Sequence, residues 1–198
     1  MFTQELARHM PTVARAIRNH KWEQHQNGIL LPKERCIVGG FYSYRVNGGD
    51  WSEPEHNLLP NEGLNFALDL IGNNTSPAAA YIALYGGAYT PIAGNTAAGF
   101  TATYTEITSG SEGYEESTRV LWDTSAAASQ AVNNYAAPAE FTIITAGSLT
   151  VNGVALLTAS AKGATTGKLV SASRFGAAKS FSDDDTFEVK YQIGMTSS

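Results

Sequence analysis

A single cysteine, Cys36, stands in 198 residues. One thiol excludes an intramolecular disulfide and any zinc site built on cysteines. Its expected place is a small buried apolar position, where free cysteine is commonest. Charge is equally scarce: Asp, Glu, Lys and Arg together make up 16%, against about 25% in a typical soluble chain. Ala, Ser, Thr, Gly and Asn fill the difference, a composition suited to short strands, turns and protein-facing surfaces. No run of about 18 apolar residues occurs, so no membrane span is expected. MFTQELARHM carries no apolar core of a secretory leader, and none is expected. The net charge of −5 counts against a general nucleic-acid binder, because phosphate contacts need a cationic footprint.

The charge is unevenly spread. Arg8, Arg15, Arg18, Lys21 and Lys33 face only Glu5 and Glu23 up to residue 33, whereas six basic residues meet twelve acidic ones from Leu58 onward. All four histidines, His9, His20, His25 and His56, precede Leu58. The front of the chain is chemically distinct. In it, Phe2, Leu6, Met10, Val13 and Ile17 recur at spacings of four, four, three and four, one face of a helix interrupted by Pro11. Asn27-Gly28 is a stop signal. The period predicts an amphipathic helical arm over 1–27, with Arg8, Arg15, Arg18 and Lys21 supplying positive charge. Residues 1–55 are expected to form this arm and an extended or hairpin anchor, and 56–198 the body.

Strand signals dominate elsewhere. Phe41–Val46 reads as a strand closed by the turn Asn47-Gly48-Gly49-Asp50, and 53–60 as a linker. Leu58–Ile71 has helical period and stops at Gly72-Asn73-Asn74, which predicts a short buried helix of about ten residues. Tyr81–Tyr85, Arg119–Trp122, Glu140–Ile144 and Lys168–Ala172 read as strands, and 94–103 as a loop of small polar residues. Asn152-Gly153 between Leu149–Val151 and Val154–Thr158 carries the signature of a two-residue hairpin. Short strands separated by turns predict a mainly β chain: an antiparallel β-sandwich or jelly-roll-like body, one short packed helix and the N-terminal helical arm.

Catalytic motifs are sparse. Phe187, Val189, Tyr191 and Ile193 alternate with polar residues, a half-buried strand. Asp183, Asp184 and Asp185 stand directly before it and read as a turn, because Asp side chains accept from nearby backbone N–H groups. Their spacing does not match a calcium loop. Glu112, Glu115 and Glu116 form a second acidic group, but neighbours 115 and 116 would point to opposite faces of a strand. Gly163–Leu169 fails the phosphate-loop pattern by one residue and lacks its Ser/Thr. No enzymatic site, metal or cofactor is expected. Tyr81, Tyr85, Tyr89, Tyr104, Tyr114 and Tyr135 offer either core and protein contact or, alternatively, stacking platforms for glycans.

The order of segments resembles a group of structural proteins from tailed bacteriophages. It runs 56-HNLLPNEGLNFALDLI-71, 81-YIALYGGAY-89, 112-EGYEESTRVLW-122, 138-PAEFTI-143, 149-LTVNGVALLTASAKGATTGKLVSASRF-175 and 183-DDDTFEVKYQI-193. In that group an NEGL helix precedes a Y-x-x-L strand, an acidic segment runs into R-x-x-W, and a D-x-[LF]-x-V-x-Y strand closes the chain. The resemblance spans about residues 56–195. It implies a non-enzymatic virion component, assembled in the host cytoplasm as a homo-oligomer. It would serve as a tail, fibre or collar part at the portal–tail vertex, or alternatively as a capsid decoration protein. Its partners would be other virion proteins, with neither nucleic acid nor membrane among them. Phe2, Leu6, Met10, Val13 and Ile17, with Arg8, Arg15, Arg18 and Lys21, would form the docking face of the arm.

Overall fold

The computed structural model describes residues 22–24, 30–32 and 36–197. The chain divides into two compact units, one holding residues up to Ile37 with the last few residues, the other Val38–Gly194. In the first, β1 (Trp22–Gln24) pairs antiparallel with β2 (Leu30–Pro32), Glu23 opposite Leu31. This corrects the expectation of helix through residue 27. The apolar Leu30–Pro32 run supplies a strand partner for Trp22–Gln24 that helical period alone does not reveal. The arm residues Phe2, Leu6, Arg8, Met10, Val13, Arg15, Ile17, Arg18 and Lys21 lie outside the described residues.

The second unit is a sandwich of two antiparallel sheets. The larger is built from β3 (Cys36–Val46), β4 (Glu55–His56), β6 (Gly113–Tyr114), β8 (Ala131–Asn133), β9 (Ala139–Ile144) and β12 (Thr186–Ser197). Its order is β4-β3-β12-β9-β6, with β8 also on β12. The smaller has the order β11-β10-β5-β7, from β5 (Tyr81–Tyr85), β7 (Val120–Leu121), β10 (Leu149–Leu157) and β11 (Leu169–Phe181). Strand β3 lies before the boundary expected at 55/56, yet it is a member of the six-stranded sheet. The supposed linker at 53–60 contains β4. Just beyond it Leu58 exchanges backbone hydrogen bonds with Ala172 of β11, so this stretch carries the chain from one sheet to the other.

Two strands share one side of β12. Its first half pairs with β9, from Thr186↔Thr142 to Val189↔Ala139, and its second half with β8, from Gln192↔Asn133 to Gly194↔Ala131. Asn134 fills the gap between them. Its Nδ2 donates to the Val189 carbonyl at 3.1 Å and its Oδ1 accepts from Tyr191 N–H at 2.7 Å. The side-chain amide therefore continues the hydrogen bonding along β12 between its two partner strands.

Between the sheets lies an aromatic-rich core that includes Tyr42, Tyr44, Ile82, Leu84, Phe141, Val151, Val154, Phe181, Phe187 and Tyr191. Strand β5 is buried on both faces. Ile82 and Leu84 point into this core, while Ala83 and Tyr85 point into a second cluster with Phe100, Tyr104, Leu157 and Leu169. Burial on two sides explains why Tyr81–Tyr85 reads as an unbroken apolar run.

A helix, α2 (Ala97–Tyr104), follows the second cluster and lies where a loop was expected. Ala97, Phe100 and Tyr104 are buried at spacings of three and four. The small residues between them conceal this period from a reading of hydrophobicity. The other helix, α1 (Asn61–Ile71), occurs where the sequence predicts it, but it is not a buried helix: only Gly63 is buried. A Cβ on Gly63 would collide with the carbonyls of Val170 and Leu169, so glycine is what lets α1 lie directly on β11. Glu62 ties this corner together, its Oε2 accepting from Ala97 N–H at 2.7 Å and Leu169 N–H at 2.8 Å.

The hairpin expected at Asn152-Gly153 is absent. Strand β10 runs straight through it, pairing with β11 on one side and β5 on the other, with a register shift against β11 between Val151 and Gly153. The dipeptide lies within a central strand, and the extra residues of the irregularity, 175–178, belong to β11. Gly153 is required there because a Cβ would meet the Ser173 carbonyl and the Tyr85 hydroxyl, and Asn152 Nδ2 donates to the Gly86 carbonyl at 2.6 Å. Gly153→Ala is therefore expected to cost about 1–3 kcal/mol through overpacking. Urea unfolding monitored by tryptophan fluorescence would measure it, and an unchanged midpoint would contradict the close approach.

Candidate interaction surface

The acidic groups that first suggest chemistry are spent on turns and strand edges. Asp184 has a positive φ of 63° at the turn into β12. Asp183 accepts from Thr145 N–H at 2.9 Å. Asp185 accepts from Ser182 N–H at 2.6 Å and from the Asn47 amide at 2.7 Å. The Asn47 amide, then the Ser182 N–H, hold the Asp185 carboxyl below the usual carboxylate range. Glu112 is used in the same way: the Thr145 hydroxyl at 2.7 Å and Ala146 N–H at 3.0 Å stabilise its charged form and lower its pKa. Glu116 accepts from Thr142 N–H at 3.2 Å. The triple aspartate is thus a turn, as its composition predicts. Among the described residues no group of three or more His, Cys, Asp and Glu side chains is placed to hold a metal ion.

The strongest electrostatic element lies inside the protein, at residues with no obvious sequence signal. Arg119 and Glu106 form an ion pair whose side chains are both fully buried. Two parallel bonds join them, Nε to Oε1 at 2.7 Å and Nη2 to Oε2 at 2.9 Å. Arg119 also donates to the carbonyls of Ala159 and Ala164, and Glu106 accepts from the Thr101 hydroxyl and Gly163 N–H. The pair fastens the end of α2 and the 159–164 loop to the start of β7. Three residues on, Trp122 donates from Nε1 to the Tyr191 carbonyl at 3.3 Å, and its ring lies 5.4 Å from the Tyr191 ring. The R-x-x-W segment is therefore a structural clamp.

Most of the tyrosines are not available as platforms. Tyr85, Tyr104 and Tyr114 are completely buried, which pushes their phenol pKa values well up. Tyr85 and Tyr104 pack edge to face, with ring centroids 4.9 Å apart. Of the six, Tyr135 has the most exposed ring, at 41%. It is near Lys190, whose ammonium sits 3.7 Å above the Trp51 ring and 5.6 Å from the Tyr135 ring. Arg45 covers Trp51 from a further 4.8 Å position while binding Glu188 through two bonds of 2.6 and 2.7 Å. The outer face of the larger sheet thus carries a cationic–aromatic patch of Trp51, Lys190 and Tyr135.

The other exposed feature is apolar. On α1, Leu64, Leu68 and Ile71 are 37, 64 and 73% exposed. Their spacing of four and three places them on one side of the helix, beside the face formed by Gly63, Phe66, Ala67 and Leu70. Two open clefts lie among the described residues. One of about 250 Å³ is lined in part by His56, Asn57 and Arg174, and one of about 300 Å³ by Tyr44, Asp50 and Lys179. Both fall at or below the small end of ligand pockets, about 300–1,000 Å³. No family model, no curated protein and no solved structure matches this chain.

Proposed function

We propose that this chain is a structural protein of a tailed-bacteriophage virion. In this reading it is a non-enzymatic tail, fibre or collar component that docks at the portal–tail vertex. It assembles in the host cytoplasm as a homo-oligomer and joins other virion proteins through its N-terminal arm. One observation carries the reading: key residues in each of the segments that resemble the phage group serve the framework. Glu62 and Gly63 seat α1, Tyr81–Leu84 lie in a central strand, and Arg119 and Trp122 clamp loops to the body. Asp185 closes a turn, and Phe187, Val189 and Tyr191 fill the core. A pattern that specifies a scaffold and leaves apolar and cationic–aromatic patches outside suits a particle component.

Quantitative mass spectrometry of purified particles tests it. Copies in the range of a few to a few dozen relative to the major capsid protein support the vertex. Hundreds of copies would move the protein to the capsid as decoration. Absence from particles would end the virion reading. Deleting residues 1–27 is expected to abolish incorporation, and normal incorporation of the shortened protein would remove the arm's anchoring role.

A further inference from the structure

We propose that the exposed stripe of α1 receives the N-terminal arm of a second copy of this chain, so that copies are joined arm to helix. The inference rests on the reading above that the chain is a homo-oligomer with a docking arm, and it names the seat of that arm.

The helix itself supplies the first reason. At 100° per residue, the apolar side chains of α1 cover an arc of about 200°, twice the stripe of about 100° that a surface helix needs. Half of that arc, Gly63 with Phe66, Ala67 and Leu70, faces β11. The other half, Leu64, Leu68 and Ile71, remains in solvent. The second reason is matching period. Leu64, Leu68 and Ile71 recur at four and three, and Phe2, Leu6, Met10, Val13 and Ile17 at four, four, three and four. Rows of this spacing interlock when two helices pack. The third is charge. From Leu58 onward six basic residues meet twelve acidic ones, whereas the arm holds Arg8, Arg15, Arg18 and Lys21 against Glu5. Length is also sufficient. As helix, the residues before Trp22 would extend about 30 Å, and α1 is only about 16 Å long. The arm can cover the stripe and still have residues left to bridge two copies. Because arm and stripe are different surfaces, the contact is heterologous and closes into a ring when the rotation permits.

Light scattering on the full chain tests this by complementation. The unaltered protein is expected to elute as a multiple of 21.1 kDa. One variant carries Leu68→Asp and Ile71→Asp in α1, and another carries Leu6→Asp and Met10→Asp in the arm. Each alone is expected to be a monomer. Mixed in equal amounts they should form a dimer and nothing larger, because one intact arm and one intact stripe remain between them. A monomeric unaltered protein, variants that stay oligomeric, or a mixture that stays monomeric would each overturn the proposal. Leu68 and Ile71 are exposed within one copy, so the melting temperature of the α1 variant should match that of the arm variant, both being monomers. Should it be lower, Leu68→Asn with Ile71→Asn repeats the test without added charge. Failure here with normal particle incorporation sinks only the arm-to-helix contact. Oligomers that never enter particles sink only the virion reading.

Discussion

Replacing Arg119 by alanine is expected to destabilise the protein by about 3–5 kcal/mol, since it leaves Glu106 as an uncompensated charge in the interior. For a chain of this size that corresponds to a fall in melting temperature of about 10 °C or more. The loss exceeds that of a surface ion pair, typically about 0–1 kcal/mol, because no solvent replaces the missing guanidinium. Arg45→Ala is the internal comparison: Arg45 binds Glu188 with the same two-bond geometry but at partly exposed positions. Glu106→Met combined with Arg119→Met should recover part of the loss by removing both charges. Recovery stays incomplete, because the Thr101 hydroxyl, Gly163 N–H and the Ala159 and Ala164 carbonyls lose their partners. Calorimetry of the four proteins measures this. An Arg119→Ala protein as stable as Arg45→Ala would show that the pair is hydrated in solution.

Phe187→Ala is expected to cost about 3–5 kcal/mol, the usual penalty for emptying a large aromatic site in a core. Phe187 is completely buried, and its ring contacts those of Phe181 at 5.0 Å, Tyr44 at 5.7 Å, Phe175 at 6.1 Å and Phe141 at 6.4 Å between centroids. These rings come from β3, β9, β11 and β12, so one side chain links the two sheets. Ile92→Ala, at an exposed position outside the α1 stripe, should change stability by no more than about 0.5 kcal/mol, as surface substitutions do. Denaturant unfolding of both variants tests the contrast. Equal losses would mean that Phe187 is not the centre of the sandwich.

The two substitutions differ in how legible their sites were. Phe187 could be placed from sequence because its strand alternates every second residue, and alternation needs no knowledge of the partner strand. The same local logic identified the turn at Asp183–Asp185 and the strand at Tyr81–Tyr85. Arg119 could not be placed in this way. Its partner is thirteen positions away and its other acceptors lie forty or more away. No period marks such a pair. Helix α2 escaped for a related reason: alanines and threonines dilute its apolar face, and Phe100 and Tyr104 become meaningful only against Tyr85 across the second core.

Asn152-Gly153 is the clearest case of one signal with two outcomes. In isolation it favours a tight reversal. In the folded chain, pairing on both sides keeps β10 extended, and glycine is required by the approach of Ser173 and Tyr85. Local chemistry therefore determined the mainly β class, most strand positions, the helix at 61–71 and the turn of aspartates, because each depends on residues within a few positions. Tertiary structure alone decided which strands pair, which Asn-Gly bends the chain, which face of α1 stays open, and that Arg119 is buried. Those outcomes depend on groups distant in sequence whose combined burial outweighs local preference.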